Sequence, residues 1–374
     1  MNTYLNLGGT IRSRTAEQTL QDIAPLAKKF GITRVANVTG LDCIGIPVAT
    51  AIRPMGKNLS VSQGKGISLA LAKVSAMMEA IENWYAERVP VADLQGSYEA
   101  LSHDYCLANP TQFMQAEYVY DDVANQMLGW NQAVDLNTQA LIYLPRDVLS
   151  LDTTQLQASS LVFSTSSNGL ASGNGWHEAV CHALYEVIER DSFFHWQHDS
   201  DQQQTLVALD SIEYDIAKQL ITTIQQADLQ VRIWNMASEN NIPAFHCAVG
   251  EAQVEAGMNV FSGTGAHLDK DVALCRAITE AVQARVTYIT GSRDDVFPSY
   301  YQQQQQIELP EQNGELMYVD IVQPDFSHDF TQNIATLLQC LQTYKVDQVY
   351  CYTHADDDIA VVHVIAPQLR SQGS

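Results

Sequence analysis

The sequence is poor in basic residues. Lysine and arginine together number 20 among 374 residues, against 43 aspartates and glutamates, so the formal net charge at pH 7 is -23. Proteins that bind nucleic acid or anionic membranes need lysine and arginine to replace the counterions of the phosphates. The acidic excess therefore argues against both as partners, and it gives weight to each arginine that stands in a distinctive position.

Long apolar runs are also missing. No stretch approaches the roughly 18 consecutive apolar residues of a membrane-spanning helix. The opening residues, MNTYLNLGGTIRSR, lack the apolar centre of a signal peptide. With 46% hydrophobic residues, the chain is still able to bury a large core. We expect a globular protein that resides in the cytoplasm.

Cysteines are few and widely scattered. Their number is odd, and no CxxC pair occurs, which argues against a disulfide framework and against a structural zinc site. In a reducing compartment we expect each one to be a small buried hydrophobic side chain. They are Cys43, Cys106, Cys181, Cys247, Cys275, Cys340 and Cys351.

Familiar catalytic motifs are absent as well. Lys65 lies between two glycines, where it can approach an anion, but the GxxxxGK[ST] spacing of a Walker A loop is missing. His177, Glu178 and His182 form HExxxH, and histidines five apart lie about 140° apart on a helix, too far to hold one zinc ion. No nucleophile is indicated, so the catalytic residues stay unknown. An enzyme that positions ATP against a second substrate needs none.

The stretch 163–196 is the most informative part of the chain. A turn rich in glycine and serine leads into a helix on which Glu178, His182, Glu186 and Glu189 fall within about 80° of one another. One interpretation is an amphipathic helix with a solvated side. The other is a row of carboxylates that faces a cleft, which needs a cation because buried like charges repel.

Two further apolar helices carry similar polar stripes, and they favour the second interpretation. Helices that are apolar on most sides are buried, so their polar stripes are expected to converge on a shared interior cleft. Several carboxylates without a histidine or cysteine pattern suit Mg²⁺, which in proteins usually arrives with substrate phosphates. The chemistry indicated is nucleotide binding. The stripes are Ser75, Glu79 and Glu82 in one helix, and Arg276, Glu280 and Gln283 in the other.

Helices and strands alternate along the chain, which predicts an α/β fold with mixed sheets. We expect helices at 15–30, 212–228 and 333–344. No linker is visible, so a single interwoven domain is expected, in which an N-terminal helix–strand segment (1–61) packs on the main domain (62–374). The glutamine-rich stretch YQQQQQIELPEQNGE is expected to be an exposed, mobile loop.

Three groups of residues resemble the YcaO family in their order and spacing. They are SQGKG with SAMMEAIENW, then SNGLASGNGWHEAVCHALYEVIERDSFFHW, and then GTGAHLDKDVALCRAITEAVQARVTYITGSRDD. The resemblance extends from about Arg12 to the C-terminus. YcaO proteins bind ATP without a Walker motif and use it to phosphorylate the oxygen of a peptide-backbone amide.

The resemblance implies a set of site residues. In one departure, the usual Glu-Arg pair of the first motif is Glu82-Asn83 here, and Arg14 or Lys65 is expected to supply the missing charge. The residues implied for Mg²⁺ are Glu79, Glu82, Glu178, Glu186 and Glu189. Those expected to contact ATP are Arg12, Thr19, Lys65, Ser75, Glu79, Glu82, Asn174, Glu178, Arg190 and Gln283. Lys65 is included because of its position between two glycines.

The resemblance leaves the product of the reaction open. Azoline-forming members commonly end in a PxPxP tail, whereas this chain ends VVHVIAPQLRSQGS. That ending favours thioamide formation on a peptide or protein with a TfuA-type partner. The alternatives are an azoline-forming cyclodehydratase and a non-catalytic accessory factor for ribosomal-protein methylthiolation. The residues alone indicate no more than an Mg²⁺-dependent ATPase or ligase. A homodimer is expected from the family.

Overall fold

The computed structural model describes residues 4–114, 123–154, 162–163, 165–251, 260–295, 309–310 and 313–370. The strands are β1 Leu5–Asn6, β2 Ile11–Arg12, β3 Arg34–Asn37, β4 Val48–Ile52, β5 Val61–Lys65, β6 Leu94–Gly96, β7 Leu128–Asp135, β8 Leu141–Pro145, β9 Leu170–Gly173, β10 Leu229–Asn235, β11 Ala244–Glu251, β12 Phe261–Ala266, β13 Tyr350–Asp356 and β14 Ala360–Ile365. The α-helices are α1 Ala16–Ile23, α2 Leu69–Ala86, α3 Tyr98–Leu101, α4 Arg146–Leu149, α5 Trp176–Gln197, α6 Asp215–Gln226, α7 Lys270–Thr290 and α8 Phe330–Thr343.

The strands form four sheets. Their orders are β1-β2, β3-β4-β5, β10-β11-β12, and β6-β7-β13-β14-β9 with β8 also paired to β7. The strands pair antiparallel, and the described residues show parallel pairing at isolated bridges, between Leu107 and Tyr143 and between Val207 and Leu316. The prediction of an α/β fold is confirmed.

Three strand–helix pairs organise the molecule: β5 with α2, β9 with α5, and β12 with α7. In each pair the helix packs back on the strand that precedes it, at a glycine of that strand. A Cβ atom on Gly64 would overlap the backbone of Ala76 in α2, and one on Gly173 would lie 2.6 Å from the backbone nitrogen of Ala179 in α5. Gly263 meets the backbone of α7 in the same way. The glycines therefore set how closely each helix approaches its sheet.

The N-terminal helix is shorter than expected. Thr15 caps α1 and forms a capping box with Gln18. The α-helix ends at Ile23, and a 3-10 turn, Ala24–Leu26, follows. Pro25 lies in that turn, and because proline has no N–H to continue the α-helical ladder, the prediction of a helix to residue 30 was wrong.

Two other predictions about organisation stay open. The boundary expected at residue 62 falls inside β5, which pairs with β4, so one sheet spans both sides of it. The division into two segments stays a prediction. The glutamine-rich run at 302–306 lies outside the described residues.

The cysteines are free thiols with unequal burial. Cys43 and Cys106 are exposed and Cys340 is half-buried, so the prediction that every cysteine is buried was wrong. The other four are buried, as expected of small hydrophobic side chains. Within the described ranges, none of the helices combines the length and the apolar character needed to cross a bilayer.

The close approach of β5 to α2 gives a testable prediction. Gly64→Ala forces a methyl group into the backbone of α2 and is expected to lower the free energy of unfolding by about 1–3 kcal/mol. Gly40→Ala is the matched control, because a Cβ at that exposed glycine has no atom within 4 Å. Its effect is expected to stay within about 0.5 kcal/mol. Urea denaturation of both variants checks this, and equal losses would contradict the packing argument.

Candidate functional site

A cavity of about 570 Å³ lies where α2, α5 and α7 converge. That volume falls in the range of about 300–1,000 Å³ that is typical of small-molecule sites. The hairpin formed by β1 and β2 contributes a further wall. Every residue predicted to contact ATP or Mg²⁺ lines this cavity. The structure thus brings the predicted set together, while the roles of its members stay predictions.

Two of the three glutamates in the polar stripe of α5 are buried, and Glu186 is half-buried. Glu178 is 4% exposed and Glu189 is 2% exposed. The interpretation of α5 as a helix with a solvated acidic side is therefore excluded. A buried charge needs hydrogen-bond donors or a cation, and the structure supplies donors to both of the buried side chains.

The carboxylate of Glu178 is held from the N-terminal segment and from the turn before α5. Ser13 donates to its Oε2 atom from both the backbone nitrogen at 2.9 Å and the Oγ atom at 2.5 Å. The side-chain amide of Asn174 donates to Oε1 at 3.0 Å, and Thr19 donates to Asn174 Oδ1 at 2.8 Å. These contacts fix the orientation of Glu178 before any ligand binds.

Strand residues hold two more of the glutamates. Ser172 of β9 donates a hydrogen bond from its hydroxyl to Glu82. On the other side of the cleft, the hydroxyl of Thr264 donates to Glu189 Oε1 at 2.6 Å, and the backbone nitrogen of Ala266 donates to Oε2 at 3.2 Å. The hydroxyls of β9 and β12 therefore position carboxylates that belong to α2 and α5.

Three glutamates of the cleft have raised pKa values. Burial raises the pKa of Glu79 and of Glu82 to about 7 and that of Glu186 to about 8. Neighbouring like charges add to the effect, since Glu82 raises the pKa of Glu79 and Glu189 raises that of Glu186. A bound cation favours the charged form of each group, so this donor set fits a hard divalent ion.

The carboxylates do not yet surround a metal ion by themselves. Among the described residues, no three acidic, histidine or cysteine side chains are already grouped so that they could hold one. Mg²⁺ usually takes one or two protein carboxylates and completes its shell with water and substrate phosphates. The arrangement therefore fits a metal that arrives with a nucleotide better than a resident metal bound by five glutamates.

Basic side chains balance part of the acidic charge. The Nε atom of Arg12 lies 3.9 Å from Glu178 Oε1, and the Nη1 atom of Arg190 lies 4.0 Å from Glu189 Oε1. Lys65 forms an ion pair with Glu280 on α7, which helps hold the pKa of Glu280 below its usual range although burial raises it. These cations lie in the same cleft as the carboxylates, as binding of a polyphosphate requires.

The charge expected from Arg14 or Lys65 beside Glu82 comes from a different residue. Arg14 pairs with Asp22 at 2.7 Å near the surface, and Lys65 is engaged by Glu280. Arg12 is the basic residue that lowers the pKa of Glu82, after the hydrogen bonds from Ser172. Asn83 instead donates from its side chain to the backbone oxygen of Glu79.

His182 and Arg276 meet inside the cleft. The Nη1 atom of Arg276 lies 3.1 Å from His182 Nε2. Burial lowers the pKa of His182 well below its usual value, and the charges of Arg12 and Arg276 add to this effect. The ring of His182 is therefore held by a hydrogen bond with Arg276 inside the cleft.

Sequence reasoning missed several residues of the cleft. Three of them lie within strands, where the sequence does not decide which face a side chain takes, and the other two follow β2 and α7 in loops. The only signal was their position inside the three motifs or beside a predicted residue. The missed residues are Ser13, Gln63, Ser172, Thr264 and Arg293.

Residues 63–370 match the family described as "YcaO cyclodehydratase, ATP-ad Mg2+-binding". The chain belongs to the YcaO family. The predicted YcaO membership is therefore confirmed, and the family description bears out ATP and Mg²⁺ as cofactors. YcaO proteins are ATP-dependent enzymes of the cyclodehydratase type that modify peptides.

One relative carries information about gene context. An "Uncharacterized protein in tfuA 3'region" of Rhizobium leguminosarum bv. trifolii is 32% identical over 96% of this chain and 88% of its own length. An uncharacterized protein of Mycobacterium tuberculosis is 34% identical over 80% of this chain and 67% of its own length.

A solved structure shows the same fold over nearly the whole chain. A YcaO protein from Methanopyrus kandleri, bound with AMPPCP and Mg²⁺, matches 99% of this chain and 95% of its own chain with a TM-score of 0.77 at 20% identity. A heterocyclase in complex with substrate and cofactor gives a TM-score of 0.81 at 20% identity, and this chain spans 55% of that protein's length.

The raised pKa values predict how stability depends on pH. A carboxyl group whose pKa rises from about 4.5 when unfolded to 7 or 8 when folded favours folding fully at low pH, and that contribution is lost as pH rises through the folded pKa. We expect the metal-free protein to lose stability between about pH 5 and pH 8, by up to about 1.4 kcal/mol per pH unit for each group.

Urea denaturation in the presence of a chelator measures this effect against Glu186→Gln. The variant removes one titrating group, so it is expected to match the wild type near pH 5 and to be the more stable protein near pH 8. A constant difference between the two proteins across this range would contradict the burial of Glu186 as a repelled carboxylate.

Proposed function

We propose that this protein uses ATP and Mg²⁺ to activate a backbone amide of a peptide or protein, and that the product is a thioamide formed with a TfuA-type partner. The observation that supports thioamide formation with a TfuA-type partner is the Rhizobium relative in the tfuA region, which matches 96% of this chain. The cleft supports ATP-dependent activation of an amide, because it combines buried carboxylates with arginine and lysine side chains.

The chemistry explains why a phosphate donor is needed. An amide is a poor electrophile because its nitrogen lone pair is delocalised into the carbonyl group. The amide oxygen attacks the terminal phosphorus of ATP, and ADP leaves with the bridging oxygen. A sulfide then adds to the amide carbon, and the former carbonyl oxygen departs as inorganic phosphate. The product carries sulfur in place of that oxygen.

The residues of this chain bind and orient the reactants. Mg²⁺, when bound, would neutralise the phosphate oxygens, and we assign to it Glu79, Glu82 and Glu186, the carboxylates whose pKa values burial raises. Glu178 and Glu189 are held in place by Ser13 and Thr264, respectively, and complete the acidic wall. Arg12, Lys65 and Arg190 face the same space and are placed to contact phosphate. Holding the amide in line with the terminal phosphate is then the main requirement for reaction.

Azoline formation is the second candidate. The description of the family as cyclodehydratases favours it, and so does the structural likeness to a heterocyclase. In that reaction the nucleophile is a Cys, Ser or Thr side chain of the substrate, and the peptide loses water without gaining sulfur. The same cleft serves both reactions, so the product distinguishes them. An accessory factor without catalysis is expected to bind nucleotide but not to turn it over.

Turnover of ATP tests the catalytic assignment. Glu189→Gln keeps an oxygen that can accept from Thr264 but removes the charge, so hydrolysis of ATP is expected to fall by at least about a hundredfold. Glu99→Gln is the matched control, since Glu99 is exposed on α3, away from the cleft. Phosphate release is the measurement, and unchanged turnover in Glu189→Gln would contradict a catalytic cleft.

The product is tested by co-expression. The chain is produced together with a TfuA-type protein, and cellular peptides and proteins are examined by mass spectrometry for exchange of one oxygen for one sulfur. Such an exchange is expected with the wild type and not with Glu189→Gln. Loss of water at a residue that precedes Cys, Ser or Thr would instead support the azoline reaction.

A further inference from the structure

Arg293 lies at the end of the third sequence motif but is not among the predicted site residues. Helix α7 ends at Thr290, and its C-cap, Gly291, has a φ of 53°, in the left-handed region that favours glycine. The chain turns there, and Arg293 follows two residues later in the lining of the cavity. The side chain of Arg293 is 23% exposed, so it is largely enclosed although it belongs to a loop.

The loop that carries Arg293 is tied to the opposite wall. The backbone nitrogen of Ser60 donates to Asp294 Oδ2 at 2.5 Å, and the Ser60 hydroxyl donates to Oδ1 at 3.0 Å. Ser60 directly precedes β5. One turn before the end of α7, Thr287 forms a hydrogen bond with Gln63 of β5. These two attachments hold the loop against the start of β5 and fix where Arg293 joins the lining of the cleft.

Arg293 differs from the other basic residues in the lining in the location of its ion-pair partner. Five of them contact an acid or a histidine in or beside the cleft. Those contacts are Arg12 with Glu178, Arg14 with Asp22, Lys65 with Glu280, Arg190 with Glu189, and Arg276 with His182.

Arg293 pairs instead with Asp295, which lies outside the cavity lining. Its Nε and Nη2 atoms meet the Asp295 carboxylate at 2.9 and 2.5 Å, and the side chain of Asp295 is 48% exposed. Exposed ion pairs contribute about 0–1 kcal/mol, so a phosphate inside the cleft is able to compete for this guanidinium.

The charge of Arg293 already acts on the carboxylate cluster. Burial raises the pKa of Glu79, and Arg293 is the strongest influence that lowers it. Glu79 is one of the residues that the proposed function assigns to Mg²⁺. Arg293 and Glu79 line the same cavity, so the guanidinium belongs to the wall of the space where that function puts the metal and the phosphates.

We propose that Arg293 binds the terminal phosphate of ATP and exchanges its pairing with Asp295 for this contact. The planar guanidinium suits the oxygens of a phosphoryl group. The loop that carries Arg293 is held by the contacts of Asp294 with Ser60, so the guanidinium has a fixed place in the lining of the cleft. Arg293 thereby makes the site selective for a triphosphate over a diphosphate. This inference rests on the proposed function.

Calorimetric titration with Mg²⁺·AMPPCP and with Mg²⁺·ADP tests the proposal. Arg293→Ala is expected to weaken binding of AMPPCP by at least about tenfold, the effect of losing one charge-assisted contact, and to change ADP binding by less than about twofold. Arg293→Lys, which keeps the charge but loses the planar fork, is expected to restore part of the affinity. Arg34→Ala removes an equal charge from an exposed position on β3 and is the matched control.

A second variant gives a readout that a purely structural arginine would not move. Asp295→Ala frees Arg293 from its surface partner, so AMPPCP binding is expected to tighten severalfold while ADP binding stays the same. Equal losses for both nucleotides in Arg293→Ala, or no change for AMPPCP in either variant, would overturn the proposal. Failure of the wild type to bind either nucleotide would instead overturn the proposed function.

Discussion

The enclosure of several carboxylates in one cleft is the constraint on which the site depends. Glu79, Glu82 and Glu186 share one enclosed space, and burial raises the pKa of each. A protein that concentrates acid in this way must either leave the groups protonated or offer the site to a cation. The ATP- and Mg²⁺-binding character of the family resolves this constraint, because a metal nucleotide supplies the missing positive charge.

The backbone makes this concentration of charge possible. Each of the three acidic or polar helix faces is presented by a helix that lies unusually close to its strand, where glycines such as Gly64 and Gly263 leave room for the helix backbone. The same strands supply the hydroxyls that hold the carboxylates, with Ser172 on β9 and Thr264 on β12. Close packing and polar contacts are thus provided by the same elements, so the cleft and the core are not separable parts of the fold.

The sequence predicted the parts of the site that lie on helices. Helical periodicity placed Glu178, Glu186 and Glu189 on one face and showed that the surrounding residues were too apolar for a solvated helix. It could not place Ser172 or Thr264, because a serine or threonine in a short strand carries no signal of which face it takes. The third motif contains Arg293, but a loop residue after a helix has no periodicity that shows where its side chain lies.

Local features account for the remaining differences. Pro25 ends the N-terminal helix early. The proline is visible in the sequence, but the apolar pattern from residue 20 to 27 favoured a longer helix. Cys43 is exposed because it belongs to a turn after Asp42, where composition gives no information on burial. Neither difference changes the cleft, whose predicted lining residues all meet in one cavity.

We infer that these carboxylates form a metal site only when a bound nucleotide supplies further ligands. Titration with Mn²⁺, monitored by electron paramagnetic resonance with and without AMPPCP, tests it most directly, since Mn²⁺ takes the same oxygen ligands as Mg²⁺. We expect weak binding of Mn²⁺ to the protein alone and strong binding once AMPPCP is present. Equally tight binding of Mn²⁺ without nucleotide, or no binding of Mn²⁺ with nucleotide, would contradict this inference.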